Sequence, residues 1–420
     1  MPGWKPALHS KLGRRPCYGC LDNLMPEEGF IPVLMNPPWK SWFRVMPAGT
    51  VDAATTPGRG EPSLLEVLLI LIMESALYLG TIYKVGGWGT LVTPRFDAQF
   101  YLDVANTIRQ WHFPGGESAQ FFWGYPYVIA GLSKLCSIPG LMAAVMISFL
   151  ASVGVCVLVH RLYGGWVAAT FVVVNFEWIQ RALGAGSEPL FMCLLLASFL
   201  LARSGRWNLA ALLAALSTTV RPVGVFALVS FAAVLAWRRS YRQLATITLL
   251  GLAVGVIYCL PVRMVMGTPF ASFIAYKDDW GSSGWPITYP FGAMVSGFLA
   301  GLHGDTRWWR LVWFVAWLII ALAGAVAVWL PRMWDRVMAD YRPEALFTSL
   351  YLLFFLSYNY GGIIRFFPRF VIPVLPILLF SMRDKIPRDR RVLWVAAALS
   401  ALMAAADVVS FRSLFGFGLG

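Results

Sequence analysis

Five charged residues stand at the ends of apolar segments, where an ionised side chain needs a partner. They are two acids, Asp97 and Glu188, and three arginines, Arg221, Arg365 and Arg369. A carboxylate held partly out of water is suited to act as a general base, because burial raises its pKa. The planar fork of arginine is suited to bind phosphate. These residue types therefore predict proton abstraction and phosphate binding at the borders of apolar segments.

Asp97 stands at the start of a segment whose apolar residues recur at helical spacing. Phe96, Phe100 and Val104 form one stripe. This pattern predicts an amphipathic helix that lies at a membrane interface. Aspartate is also favoured as a helix N-cap, where its side chain accepts hydrogen bonds from free backbone amides. The residues alone leave both roles of Asp97 open, the cap and the base.

The other candidates also have structural explanations. The segment Phe121–Tyr127, FFWGYPY, is typical of an aromatic belt at the level of the lipid headgroups. Glu188 opens an apolar segment, and a negative charge at a helix N-terminus is favourable, whereas a cation there, such as Arg221, runs against the helix dipole. Because a cation at a helix N-terminus is unfavourable, the position of Arg221 suggests that it binds a ligand. Arg365 and Arg369 either extend towards lipid headgroups or bind an anion.

The composition predicts that these residues are positioned by transmembrane helices. The chain has 420 residues, of which 58% are hydrophobic and 13% charged, and its mean hydropathy is +0.66. Soluble domains carry about 25% charged residues. The apolar residues form blocks of helical length rather than alternating runs, which favours an all-α polytopic membrane protein over a β-barrel. About eleven spans are predicted, near residues 64–84, 139–160, 164–180, 187–203, 206–219, 222–237, 244–263, 307–330, 345–358, 369–382 and 391–410.

Loop charges assign a side to two ambiguous apolar stretches, 121–137 and 286–302. If neither stretch crosses and the N-terminus is cytoplasmic, every inner loop carries basic residues, as the positive-inside rule requires. If both crossed, the basic loop 238–242 would face outwards. Both stretches are therefore predicted to form juxtamembrane helices on the extracytoplasmic face, within the outer loops 85–138 and 264–306. The candidate residues gather on that same face.

Residues 1–61 differ from the rest of the chain. They contain Pro, Gly and charged residues without a sustained period, and no signal-peptide core. This pattern predicts a disordered cytoplasmic tail. A true start at Met46 is the alternative that the sequence leaves open. Residues 62–420 are predicted to form a single transmembrane domain.

Several function classes lack their sequence signals. The net charge of +13 comes mostly from short loops between apolar blocks, where it indicates topology rather than nucleic-acid binding. There is no Walker A loop for ATP and no GxSxG motif of a serine hydrolase. The four histidines are scattered, and Cys17 and Cys20 form one isolated CxxC, so no metal site is predicted. Charged residues within the predicted spans are few, which disfavours an ion-coupled relay.

Six short motifs occur in a recognisable order. They are an Asp just after the first span, an FFxxYP segment, an SE pair, and then TxxRPxG, GxPF with a following Trp, and PRFVxPxxP. This order resembles the PIG-V-type mannosyltransferase family of the GT-C glycosyltransferase superfamily, from about residue 62 to the C-terminus. The family usually has Trp before the Asp and Pro-Leu within FFPLYP, where this chain has Phe96 and Trp123-Gly124. These departures bear on the identity of the sugar or acceptor more than on the reaction class.

The resemblance implies a GT-C-like fold and inverting transfer of a sugar, mannose in the family, from a polyprenyl-phosphate donor. Asp97 would take the proton of an acceptor hydroxyl, and Arg369 is the first choice to stabilise charge on the departing phosphate, before Arg221 and Arg365. Further residues are expected to bind substrate: Gln99, Tyr101, Tyr125, Glu188 and Trp280. The lipid-linked sugar is a co-substrate, and no separate cofactor is expected.

The expected partners are this donor, a lipid or glycan acceptor and the surrounding membrane lipids, with no nucleic acid. The expected location is a bacterial inner membrane, with the active site on the extracytoplasmic side. A lipid-linked glycan flippase or a small-molecule transporter is the alternative function. A transporter should show an internal repeat and polar residues near the middle of the membrane, whereas the polar residues here gather on one face. A donor sugar other than mannose also stays open.

Overall fold

The computed structural model describes residues 60–91, 97–110, 112, 121–272, 274, 287–305, 308–329, 338–359 and 363–415. The predicted tail 1–61 lies outside these residues except for its last two positions. Trp280 lies outside them as well, together with parts of the outer loops 264–306 and 85–138. The backbone of Arg365 is described, but its side chain is not.

The described residues fold into α-helices joined by short connections, which confirms the predicted all-α fold. In chain order they are α1 (Leu64–Leu91), α2 (Ala98–Arg109), α3 (Gly124–Cys136), α4 (Gly140–Tyr163), α5 (Gly165–Val174), α6 (Glu177–Leu183), α7 (Glu188–Arg203), α8 (Trp207–Val220), α9 (Val225–Trp237), α10 (Tyr241–Met266), α11 (Gly292–Ala300), α12 (Trp308–Val328), α13 (Met338–Leu356), α14 (Ile363–Val371), α15 (Leu375–Ser381) and α16 (Arg390–Phe415).

Four of the described helices, α1, α4, α10 and α12, are long and apolar enough to cross a membrane by themselves. The pair α6 and α7 passes the same test together, but its two helices meet at an angle of 102°. Three other predicted spans, 164–180, 206–219 and 222–237, contain shorter apolar helices, Gly165–Val174, Trp207–Val220 and Pro222–Trp237. Large apolar side chains of α10, including Leu249, Val256 and Ile257, are exposed, as expected for a surface that faces lipid.

The predicted span 164–180 is wrong, because a helix break interrupts it at Asn175. Asn175 has an extended backbone, and its side-chain oxygen accepts the Glu177 N–H at 3.1 Å. Its amide nitrogen donates to the Pro368 carbonyl oxygen at 3.0 Å, within α14. Asn is well suited to such a break, since its side chain competes for backbone groups. Asn175 thus separates α5 from α6 and links the start of α6 to α14 by hydrogen bonds.

The predicted span 369–382 is also wrong as one continuous helix. The chain forms two short helices there, α14 and α15, with a turn between Val371 and Leu375. Two prolines, Pro373 and Pro376, stand at this turn. Proline lacks the backbone N–H that an unbroken helix needs at these positions.

The two ambiguous stretches form α3 and α11. With 13 and 9 residues, they are roughly 20 Å and 14 Å long at about 1.5 Å per residue. Neither reaches across a hydrocarbon core of about 30 Å. The predicted spans that form α8 and α9 are as short, with 14 and 13 residues, so the surface position of the two stretches stays a prediction. The side of the membrane on which they lie stays a prediction.

Gly124 lets the start of α3 pack directly on the end of α8. A Cβ atom on Gly124 would lie 2.4 Å from Thr219 Oγ1 and 2.6 Å from the Thr219 carbonyl carbon. The indole of the preceding Trp123 is fully buried. The Trp-Gly pair therefore combines a large buried side chain, packed with Val104 and Val262, with a position that has no room for a side chain.

Gly124→Ala is expected to destabilise the protein by about 1–3 kcal/mol, because the added methyl group overlaps backbone that cannot easily move. Thermal unfolding in detergent measures the effect. Gly131→Ala is the matched control, since Gly131 lies on the same helix with nothing within 4 Å of its Cβ position. An equal loss of stability in both variants would contradict the prediction.

Candidate active site

Arg369 joins the two acids that the sequence singles out. Its Nη2 donates to Asp97 Oδ2 at 2.5 Å, and its Nε donates to Glu188 Oε1. Asp97 stands at the N-terminal end of α2, Glu188 at that of α7, and Arg369 in the last turn of α14. Arg369 thus brings two acids that are far apart in the chain to one place in the fold. That all three face the extracytoplasmic side stays a prediction.

Glu188 is the centre of this group. Its side chain is fully buried, and its Oε1 also accepts Arg221 Nη2 at 2.7 Å. Arg181 Nε lies 3.9 Å from the same oxygen. A carboxylate removed from water is costly unless cations and hydrogen bonds compensate it. Glu188 thus holds the three arginines together, and we call the five residues Asp97, Arg181, Glu188, Arg221 and Arg369 the charge cluster.

The charge cluster contains more arginines than carboxylates. Within the described part of the chain, its ion pairs join three arginines to two carboxylates. Glu177, outside the cluster, also interacts electrostatically with Arg181. The Asp97 side chain is 31% exposed and that of Arg221 16%, whereas Glu188 is fully enclosed. An incoming anion therefore finds guanidinium groups to bind, and an incoming hydroxyl finds Asp97 at the open side.

Asp97 does not cap its helix with its side chain. It occupies the N-cap position of α2, but its carboxylate makes no capping hydrogen bond to the described residues and binds Arg369 instead. Burial raises the pKa of Asp97, yet the neighbouring Arg369 and Arg181 outweigh burial and hold the pKa below its ordinary value. The raised pKa predicted from the sequence is wrong for this state. Asp97 is ionised at neutral pH, as a general base must be.

Tyr101 and Tyr125 support the charge cluster from buried positions. The Tyr101 hydroxyl lies 2.9 Å from Ser187 Oγ, which also accepts Arg221 Nε at 3.2 Å. The Tyr125 hydroxyl lies 2.7 Å from Ser148 Oγ, and the two tyrosine rings meet edge to face at 5.1 Å. Through Ser187, Tyr101 thus links α2, which begins after Asp97, to Arg221.

Gln99 is not brought together with the charge cluster. Gln99 is exposed on α2, and its Nε2 donates to Asp103 Oδ1 at 2.7 Å, one turn further along the same helix. Trp280 and the side chain of Arg365 lie outside the described residues. Their predicted roles in substrate binding stay predictions.

Sequence reasoning missed Arg181 and Ser187. The prediction placed Arg181 just beyond the end of a span, where it looked like one more loop charge. The available signal was its location on the predicted outer face, where arginines oppose the positive-inside bias. The same argument had selected Arg369. Ser187 was quoted only as the partner of Glu188 in the SE pair, and its contacts with Tyr101 and Arg221 join residues far apart in the chain.

Comparison with known proteins gives a match at the level of the fold. No family model and no curated protein matches the sequence. Among solved structures, ArnT from Cupriavidus metallidurans bound to undecaprenyl phosphate matches with a TM-score of 0.50 and 14% identity. The match covers 83% of this chain and 65% of the ArnT chain. The fold of this chain is similar to that of ArnT.

The likeness to ArnT agrees with the GT-C-like membrane fold predicted from the sequence. A second ArnT structure, in the apo state, matches with a TM-score of 0.45 and 13% identity over 83% of this chain and 64% of that one. This chain thus spans just under two thirds of the length of ArnT. A likeness of fold does not by itself assign an activity. The narrower resemblance to PIG-V-type mannosyltransferases stays a prediction.

Proposed function

We propose that this protein is a membrane glycosyltransferase that uses a polyprenyl-phosphate-linked sugar. The observation that carries the proposal is the contact of Arg369 with Asp97, which puts a carboxylate beside an arginine-rich site. The reaction needs a proton acceptor, here Asp97, close to a group that binds phosphate, here Arg369. The fold supports the proposal, because the similar ArnT structure holds undecaprenyl phosphate.

The proposed reaction is a single displacement with inversion at the anomeric carbon. The acceptor hydroxyl attacks this carbon while Asp97 takes the hydroxyl proton. The bond between the anomeric carbon and the phosphate oxygen breaks, and its electron pair leaves with the lipid phosphate. Arg369 and Arg221 donate to that phosphate as its negative charge grows. The products are the glycosylated acceptor and the free polyprenyl phosphate, and Asp97 then releases its proton to water.

We further propose mannose as the sugar, an acceptor hydroxyl on a lipid or glycan, and action on the extracytoplasmic face of a bacterial inner membrane. Mannose rests on the order of the six sequence motifs. The side of the membrane rests on the basic loops, which the positive-inside rule assigns to the cytoplasm.

Turnover of radiolabelled polyprenyl-phosphate-mannose by the purified protein, with membrane lipid extract as acceptor source, tests the proposal. A new mannosylated product is expected. If only the corresponding glucose or aminoarabinose donor is used, the sugar is corrected and the reaction class holds. If the protein moves the lipid-linked sugar across proteoliposomes without forming a product, it is a flippase and the proposal is wrong.

Arg369→Lys is expected to raise the donor KM and to lower kcat, so that kcat/KM for the donor falls by about 10- to 100-fold. Lysine keeps the charge but has no planar fork, so it cannot contact Glu188, Asp97 and phosphate in the same way. The loss of one charge-assisted hydrogen bond corresponds to roughly 1.5–3 kcal/mol. Steady-state kinetics with varied donor measures the change, and Arg263→Lys, at an exposed position of α10, is the control. An unchanged kcat/KM for the donor would contradict the role of Arg369.

A further inference from the structure

We propose that Arg369 passes from Asp97 to the donor phosphate, so that binding of the lipid-linked donor uncovers the base. This inference rests on the proposed function and deepens it. In the structure Arg369 Nη2 donates a hydrogen bond to Asp97 Oδ2. The proposed reaction assigns the same guanidinium to the donor phosphate. The resting arrangement therefore keeps the base and the phosphate ligand bound to each other.

The two ion pairs of Arg369 differ in burial, so they differ in the cost of the unpaired carboxylate that remains when each one breaks. Glu188 is fully buried and also binds Arg181 and Arg221, so it is a fixed partner of Arg369 Nε. Asp97 is 31% exposed, so water can solvate its carboxylate once the arginine moves away. An unpaired buried charge costs far more than an unpaired exposed one. The contact with Asp97 is therefore the one that opens, while the contact with Glu188 serves as the pivot.

The exchange has a chemical effect on both partners. With Arg369 beside it, the carboxylate of Asp97 is a weak proton acceptor, because the adjacent positive charge favours its ionised form. Once Arg369 turns to the phosphate, Asp97 binds a proton more readily. The same movement puts positive charge where the departing phosphate gains negative charge. The base and the stabiliser of the leaving group thus become active together, and only when a donor is present.

Binding of undecaprenyl phosphate to the purified, detergent-solubilised protein tests the exchange, with four forms compared: wild type, Asp97→Asn, Arg369→Gln and the double variant. Asp97→Asn is expected to bind the lipid phosphate about three- to tenfold more tightly, because no ion pair has to open first. In the Arg369→Gln background, Asp97→Asn is expected to change the affinity less than twofold. Asp103→Asn, which removes a charge from the exposed face of α2, is the control and should bind like the wild type.

Each other outcome contradicts a particular statement. Unchanged or weaker binding by Asp97→Asn, with normal binding by the wild type, contradicts the exchange alone. Tighter binding in both backgrounds means that Asp97 simply repels the phosphate, which also contradicts the exchange. No binding by the wild type contradicts the proposed donor class, and the exchange with it. Should Asp97→Asn not remain monodisperse in size-exclusion chromatography, Asp97→Ser carries the same expectation and replaces it.

Discussion

Replacement of Asp97 by asparagine is expected to lower kcat for sugar transfer by at least about 10²–10⁴-fold, the usual contribution of a general base. Asparagine is similar in shape and can still accept a hydrogen bond from Arg369, but it cannot take up the acceptor proton. The measurement is transfer from a radiolabelled polyprenyl-phosphate sugar at saturating donor. Turnover close to that of the wild type would exclude Asp97 as the base.

The structure changes which alternative role of Asp97 the Asp97→Asn variant has to exclude. A capping role no longer competes, because the Asp97 side chain makes no capping contact with the described residues. The competing role is positioning of Arg369. Loss of positioning would raise the donor KM, whereas loss of the base lowers kcat and leaves the donor KM equal or lower. Asp103→Asn, on the same helix but paired with Gln99, should keep normal kinetics.

Glu188→Gln is expected to destabilise the protein by roughly 3–5 kcal/mol, as is typical when one partner of a buried ion pair is removed. Three arginines would lose their shared carboxylate, and among the other members of the charge cluster only Asp97 could compensate them. Thermal or SDS-induced unfolding in detergent measures the loss. Transfer activity is also expected to disappear, since Glu188 is the anchor of Arg369.

Glu66→Gln is the matched control for this prediction. Glu66 pairs with Arg390 at 3.4 Å, and the arginine of that pair is 57% exposed. Removing an exposed pair is expected to cost no more than about 1 kcal/mol. Similar losses in Glu66→Gln and Glu188→Gln would show that burial of the charge cluster contributes little to stability.

The sequence predicts much of this arrangement for physical reasons. Apolar blocks of helical length have few solutions in a membrane, so most helices could be placed within a few residues, apart from the broken spans 164–180 and 369–382. Asp97, Glu188, Arg221 and Arg369 stood out because charges at the ends of apolar segments need partners. All four lie in the charge cluster.

Other features depend on contacts between distant parts of the chain and escaped prediction. The break at Asn175 looks like part of an apolar span until its side chain meets the Pro368 carbonyl oxygen. Arg181 looks like a loop charge until the bend between α6 and α7 brings it near Glu188. The pKa of Asp97 was predicted in the wrong direction, because burial could be foreseen from the sequence and the adjacent Arg369 could not.

The wide spacing of the charge cluster along the chain has a consequence for biosynthesis. Arg369 follows Glu188 by 181 residues and Asp97 by 272 residues. At about 5–20 residues per second, a ribosome needs on the order of 10–40 s to reach Arg369 after it has made Glu188. During that interval Glu188 has only Arg181 and Arg221 as partners from the charge cluster. The nascent protein must therefore keep these charges near water, or screened by the insertion machinery, until α14 emerges and completes the set.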